Sequence, residues 1–173
     1  MQPTQIGESF VGGGAEAAHI NTVLGAKGGP VETAWATALA TPRSGHAAFV
    51  VVLQPGVAVK PLTLFVNKAE LVPGTEHARL TWGAAQAGVA AGVAQAVADG
   101  VVPADSVDEL LLIAAVWVDP DAADEAAVFA NNRAATLEAL ANGSARLPRM
   151  ADVLAVRDSP ANPFLRPEAT TGG

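Results

Sequence analysis

The chain has 173 residues, 50% hydrophobic and 16% charged, with a formal net charge of −7 and a sequence pI near 4.8. That length and apolar content suit one domain with a buried core. The acidic balance, with ten scattered Lys and Arg, argues against a nucleic-acid partner. Cysteine is absent, which excludes disulfides, thiolate zinc sites and a cysteine nucleophile. Residues 1–8 lack the basic-then-apolar pattern of a secretion signal, and the longest apolar run, 110–118, is too short to span a bilayer. A cytoplasmic protein with no membrane partner is expected. Aromatic residues make up only 5%, and the Ala, Val and Gly that replace them bury little area each. Further burial between identical subunits is therefore expected.

Residues 6–11 read as a strand, Gly12, Gly13 and Gly14 as a turn, and 17–24 as the second strand of a hairpin, with His19 early in it. Pro30 suits a first helical turn, and 31–40 reads as a helix ending before Pro42. The apolar run 47–53 reads as a buried strand, 55–61 as a connector, and 62–71 as a strand carrying Asn67, Lys68 and Glu70. Residues 81–99 read as a long helix ended by Gly100. Asp105 is placed to cap a short helical turn. A strand over 110–118 precedes a helix over 121–141 that stops near Asn142 and Gly143. Strands and helices mix without regular alternation, which indicates an α+β sheet-and-helix sandwich. Residues 1–165 read as a single domain and 166–173 as a flexible tail.

Gly83, Gly88 and Gly92 interrupt the 81–99 helix, each at a cost of roughly 1 kcal/mol against Ala. Gly88 and Gly92 share a face and admit a close backbone, either within the domain or at a subunit contact.

Histidine is the usual proton donor or acceptor at neutral pH. His46 and His77 read as surface residues, whereas His19 interrupts the apolar start Ala17-Ala18-His19-Ile20. No histidine spacing suits a metal, and Asp119, Asp121, Asp124 and Glu125 fit the positive end of a helix better than a cation site. Gly12 to Gly14 lack the Lys-Ser/Thr ending of a phosphate loop. Lys68 and Glu70 stand two apart in a predicted strand, so they share a face and form either a partly buried pair or a solvated one.

Taken in order, the segment Gly-Glu-Ser-Phe-Val-Gly from Gly7 to Gly12, Ala18-His19-Ile20, Pro30 with Glu32, Thr33 and Ala34, Lys60-Pro61, Asn67-Lys68, Gly83, Gln86, Gly88 and Val89, Pro103-Ala104-Asp105, and Asn162-Pro163-Phe164 resemble the formaldehyde-activating enzyme family. The resemblance implies a ribosomal-protein-S5-domain-2-like fold, a homopentamer with sites between neighbouring subunits, and condensation of formaldehyde with tetrahydromethanopterin to the methylene adduct and water. It puts the acid on His19 and pterin contacts on Asn21, Val50, Lys68, Glu70 and Gln86. Reduced pterin is then a co-substrate, and no metal or tightly bound cofactor is required. The family usually carries Asp two residues after the histidine, Thr two after the lysine and His after the glutamine. Here these are Asn21, Glu70 and Ala87. The exchange of charge also admits a divergent homologue that binds or senses a pterin, folate or aldehyde adduct without efficient turnover.

Overall fold

A computed structural model describes residues 3–162. The expected tail at 166–173, and Pro163 and Phe164 of the last motif, lie outside the described residues. The chain opens with the hairpin β1 (Gln5–Val11) and β2 (Ala18–Ala26), joined through a 3-10 turn at Gly14–Glu16. Gly12 and Gly14 have φ of 87° and 65°, a region that glycine alone enters without strain. Helix α1 (Pro30–Ala40) starts on Pro30, as expected from a ring that fixes φ and lacks a donor needed elsewhere.

The 47–53 run is not one strand. It divides into β3 (Phe49–Val50) and β4 (Val52–Gln54) at the fully buried Val51, whose N–H donates to Thr63 O and whose carbonyl accepts from Val59 N. An unbroken apolar run carries no period to reveal such a break. β4 pairs with β5 (Val57–Ala58), inside the expected connector, as a separate small ribbon. β6 spans Leu62–Asn67 and stops four residues short of the expected end, for a reason given below.

Between the predicted strand and long helix lies helix α2 (Glu76–Leu80), capped by Thr75 Oγ1 accepting from Ala78 N at 3.2 Å. It continues through a π-helical segment at Thr81–Ala85 into α3 (Gln86–Ala98). Asp105 lies inside a 3-10 turn at Ala104–Ser106 and does not cap it. β7 (Leu110–Trp117) leads to α4 (Glu125–Ala145), where Asp124 Oδ1 accepts from Ala127 N, so the acidic residues there do cap a helix start. α4 runs through Asn142 and Gly143 instead of stopping at them. Gly143 is buried in it against the backbone of Ile6 and Gly7, so this glycine permits close packing rather than ending the helix. A short α5 (Met150–Ala155), unforeseen in the sequence, follows.

The main sheet has the order β1-β2-β7-β6-β3, antiparallel except for the parallel pair β6–β7. Fold class is α+β: α3 and α4 cover one face. Ala18, Ile20 and Leu24 of β2, Leu112, Ala114 and Val116 of β7, and Phe65 of β6 form the core there with Val89 and Val93 of α3 and Val128 and Ala135 of α4. The paired glycines of α3 meet α4 of the same chain. A Cβ on Gly88 would stand 2.5 Å from Phe129 O and 2.9 Å from Asn132 Cβ, and one on Gly92 would stand 2.6 Å from Arg133 O. Close approach of the two helices is the reason for glycine at both positions.

Gly88→Ala therefore destabilises the fold, by about 1–3 kcal/mol as for other overpacked sites. A Cβ on Gly83 meets nothing within 4 Å, so Gly83→Ala leaves stability unchanged or raised. Denaturant unfolding of the two variants side by side checks both signs.

Candidate active site

Successive residues of a strand point to opposite faces. In β2 the even-numbered Ala18, Ile20 and Leu24 enter the helical core, so His19, Asn21, Val23 and Gly25 face the other way. α1 covers only one end of that second face. It packs there so tightly that a Cβ on Gly25 would stand 2.5 Å from Val31 Cγ2. The end bearing His19 and Asn21 is left uncovered.

The register fills in the neighbours. Phe10, His19 and Trp117 stand level across β1, β2 and β7, and Glu8, Asn21, Ala115 and Val66 stand level across β1, β2, β7 and β6. His19 Nε2 lies 3.0 Å from Glu8 Oε1, and the Phe10 ring lies 5.8 Å from the imidazole, centroid to centroid. The Lys68 ammonium donates to Asn21 Oδ1. To do so it crosses β7 beside Ala115, which presents only a methyl group at the level of Asn21.

Lys68 is held by the residue before it. Asn67 is buried and its Nδ2 donates to Gly45 O and Ala69 O, both at 2.7 Å, while its main-chain carbonyl takes the His46 Nδ1 contact at 3.1 Å. These bonds bend the chain away from the sheet after Asn67. Lys68 keeps one sheet bond, from its N–H to Val116 O, and Glu70 has left. The same-face argument for Lys68 and Glu70 fails with the strand. Glu70 is exposed and its Cγ lies over Gly45, and no ion pair joins it to Lys68 among the described residues. His46 and His77 are not surface residues either. Both are half-buried, and His77 Nε2 lies 2.9 Å from Val118 O.

Of the other expected contacts, Val50 shares the uncovered face but stands in β3, three strands from β2. Gln86 belongs to the helical side within one chain, where it is buried and its Oε1 accepts from Val52 N at 2.8 Å. The structure thus brings His19, Asn21 and Lys68 together, and leaves Glu70 and Gln86 apart from them in the single chain. Glu8 is the residue that sequence reasoning missed. Its signal was the hairpin: pairing 6–11 against 17–24 across the three glycines sets Glu8 and Phe10 on the face of His19.

The electrostatics are those of two cationic groups and one carboxylate. Burial, and then the Lys68 ammonium, hold His19 below the usual histidine range, against the opposing pull of Glu8. Burial likewise lowers Lys68, and Glu8 opposes it. Such a patch offers proton donors and acceptors near neutrality and a cation for a carbonyl-bearing ligand. Among the described residues no cluster of His, Asp and Glu has the arrangement of a metal site. No described helix is long and apolar enough to cross a membrane.

Fold and site together define an α+β protein with acid–base groups on an uncovered sheet face. Residues 6–165 match the formaldehyde-activating enzyme (Fae) family, and the chain belongs to it. It is 40% identical over 161 residues to the 5,6,7,8-tetrahydromethanopterin hydro-lyase of Methanosarcina barkeri, an alignment covering 93% of this chain and 90% of that one. It is 36% identical to the bifunctional enzyme Fae/Hps of Methanosphaera stadtmanae and 35% identical to that of Archaeoglobus fulgidus, each alignment covering 93% of this chain. The chain spans 39% and 41% of those two longer proteins.

Replacing Lys68 by Met removes a positive charge that disfavours the imidazolium. The His19 titration midpoint, read from its ring resonances by NMR, then moves to higher pH. An unmoved midpoint would mean that Lys68 is not electrostatically coupled to the ring.

Proposed function

We propose that this chain condenses formaldehyde with a reduced pterin of the tetrahydromethanopterin type, giving the methylene adduct and water, with His19 as general acid. The observation that carries this reading is the placing of His19 beside Lys68 and Asn21 on the uncovered face, in a chain so similar to a hydro-lyase of that name.

The chemistry calls for such a group. A pterin amine adds to formaldehyde and gives a hydroxymethyl adduct. The adduct must lose water to become an iminium, and hydroxide is a poor leaving group. An imidazolium that protonates the leaving oxygen contributes roughly 10²–10⁴-fold. The second pterin nitrogen then closes on the iminium carbon and releases a proton, which recharges the ring. Holding both nitrogens about one carbon adds an entropic share. Lys68 and Asn21 serve as ligand contacts from the same face, with Val50 at its far side. Glu70 and Gln86 serve only if a neighbouring subunit presents them. No metal or tightly bound cofactor enters the scheme.

The finer fold reading is the ribosomal-protein-S5-domain-2-like sandwich, as one domain over residues 1–165, and the protein is read as cytoplasmic. A homopentamer is supported by apolar surface on both sides of the chain: Ile6 and Phe10 on the uncovered sheet face, and Met150, Val153 and Leu154 on α5. A light-scattering mass of five chains is expected at micromolar concentration, and a mass of one chain would defeat this assembly.

Asn21 favours a second reading, a homologue that binds its carrier with weak turnover. Its Oδ1 takes the Lys68 hydrogen bond as an Asp would, but without the charge. A donor or acceptor of the pterin left unmet there costs about 1–3 kcal/mol, or one to two orders of magnitude in affinity. The divergent reading expects Asn21→Asp to raise activity on tetrahydromethanopterin. Glu70→Thr is expected to add nothing to this change within one chain, since Glu70 stands apart from Lys68.

The test is stopped-flow absorbance of formaldehyde with several reduced pterins, with and without the protein. His19→Ala is expected to cut the enzymatic rate by about 10²–10⁴-fold with little change in KM, because a proton donor acts mainly on the transition state. Undiminished turnover in the variant removes His19 from the mechanism.

A further inference from the structure

We propose that Glu8 is a positioning residue for this reaction: its carboxylate holds His19 by Nε2 and leaves Nδ1 as the nitrogen that delivers the proton. The proposal rests on the reading of His19 as the acid.

The placement is built by the hairpin. Glu8 stands level with Asn21 and one pleat from Phe10, which stands level with His19. Its side chain therefore leans along the strand to reach the ring, and Oε1 arrives 3.0 Å from Nε2. Phe10 flanks the imidazole at 5.8 Å between centroids, tilted by 48°, which limits the ring's freedom to turn away.

The charges facing His19 come from every element around it. β1 supplies Glu8, β2 supplies the neutral Asn21, β7 supplies Trp117, and the segment after β6 supplies the Lys68 cation. Lys68 and burial both oppose protonation of the ring, and Glu8 alone among the described ionisable groups is found to favour it. In the family pattern a second carboxylate stands where this chain has Asn21. Here Glu8 carries the counter-charge for both His19 and Lys68. Without it burial and Lys68 act unopposed, and a still smaller share of the rings carries the proton.

The step follows from the atoms. The Nδ1–H of the imidazolium transfers its proton to the hydroxyl oxygen of the hydroxymethyl adduct. The C–O bond breaks with its electron pair going to oxygen, water leaves, and the amine lone pair forms the C=N bond of the iminium. The ring is left neutral with Nε2–H facing Glu8. It regains its proton at Nδ1 from the second pterin nitrogen on ring closure.

The experiment compares wild type, Glu8→Gln and Glu8→Asp in two readouts. The first is the His19 midpoint from ring NMR without substrate. The second is the pH profile of kcat/KM with formaldehyde and tetrahydromethanopterin, which reports the same free enzyme. In Glu8→Gln the midpoint is expected to fall by about one unit, as for loss of a close opposite charge. Since the acid form is active, the fall in kcat/KM on the alkaline side moves down by the same amount. Below both midpoints the rate recovers towards wild type, and KM for the pterin stays within about twofold. Glu8→Asp keeps the charge and restores much of both shifts. A His19 midpoint unchanged by Glu8→Gln overturns the proposal, whatever the activity. A midpoint that moves without moving the rate profile overturns the reading of His19 as the acid, and the two failures are thereby told apart. A rate lost equally at all pH values, with the NMR midpoint unmoved, assigns Glu8 a structural role only and also overturns it.

Discussion

The alternation of side chains along β2 is the constraint on which the rest depends. Ala18, Ile20 and Leu24 are committed to a core under α3 and α4, and once they are buried His19 and Asn21 have no choice of face. A shift of one residue in the pairing with β1 or β7 would exchange the two sets, burying an imidazole and an amide and exposing three apolar side chains. The hydrophobic core thus fixes the position of His19 and Asn21 from the opposite face of the sheet. The close approach of β1 to α4 is part of the same lock. Gly7 has no room for a side chain, since a Cβ there would stand 1.8 Å from Ala139 O, and the strand that carries Glu8 is held flat against the helix behind it.

What the uncovered face then does is a matter of charge at short range. Two potential cations, His19 and Lys68, share one carboxylate, Glu8, and one amide, Asn21. Partial burial is worth more here than full burial would be. A ring sealed in the core would be neutral, and one in free solvent would lack orientation. With a third of its side chain exposed, His19 stands between those limits: burial and then Lys68 lower its hold on a proton, and Glu8 raises it. Lys68 reaches this group only because Asn67 spends its side chain on two backbone carbonyls and bends the chain at that point, and because Ala115 leaves the path across β7 low.

Much of this was legible in the sequence. The three glycines announced the hairpin, the Ala-Ala-His-Ile pattern singled out His19, and Pro30 marked the start of α1. The remainder was hidden for identifiable reasons. The run 47–53 is apolar throughout and so has no period to show the break at Val51. The end of β6 depends on bonds from Asn67 to Gly45 and Ala69 that no local pattern reveals, and with that end went the pairing of Lys68 with Glu70. Gly143 read as a helix stop because glycine is usual there. Its use is tertiary, a close contact with β1 from residues far away in sequence. Glu8 was quoted as part of a motif but not as a functional group, since its partner becomes visible only when the hairpin register is drawn. Gln86 was grouped with Lys68 through resemblance, and within one chain the sheet lies between their elements.

The central claim is that the carrier binds on the uncovered sheet face, over His19, Asn21 and Lys68. The most direct measurement is a crystal structure of the protein with tetrahydromethanopterin bound. The account predicts the pterin ring on that face, with its reacting nitrogens next to the imidazole and a ring substituent within hydrogen-bonding distance of Lys68 or Asn21. A pterin seated on the helical side of the sheet, or anywhere that His19 of no subunit reaches, would contradict it.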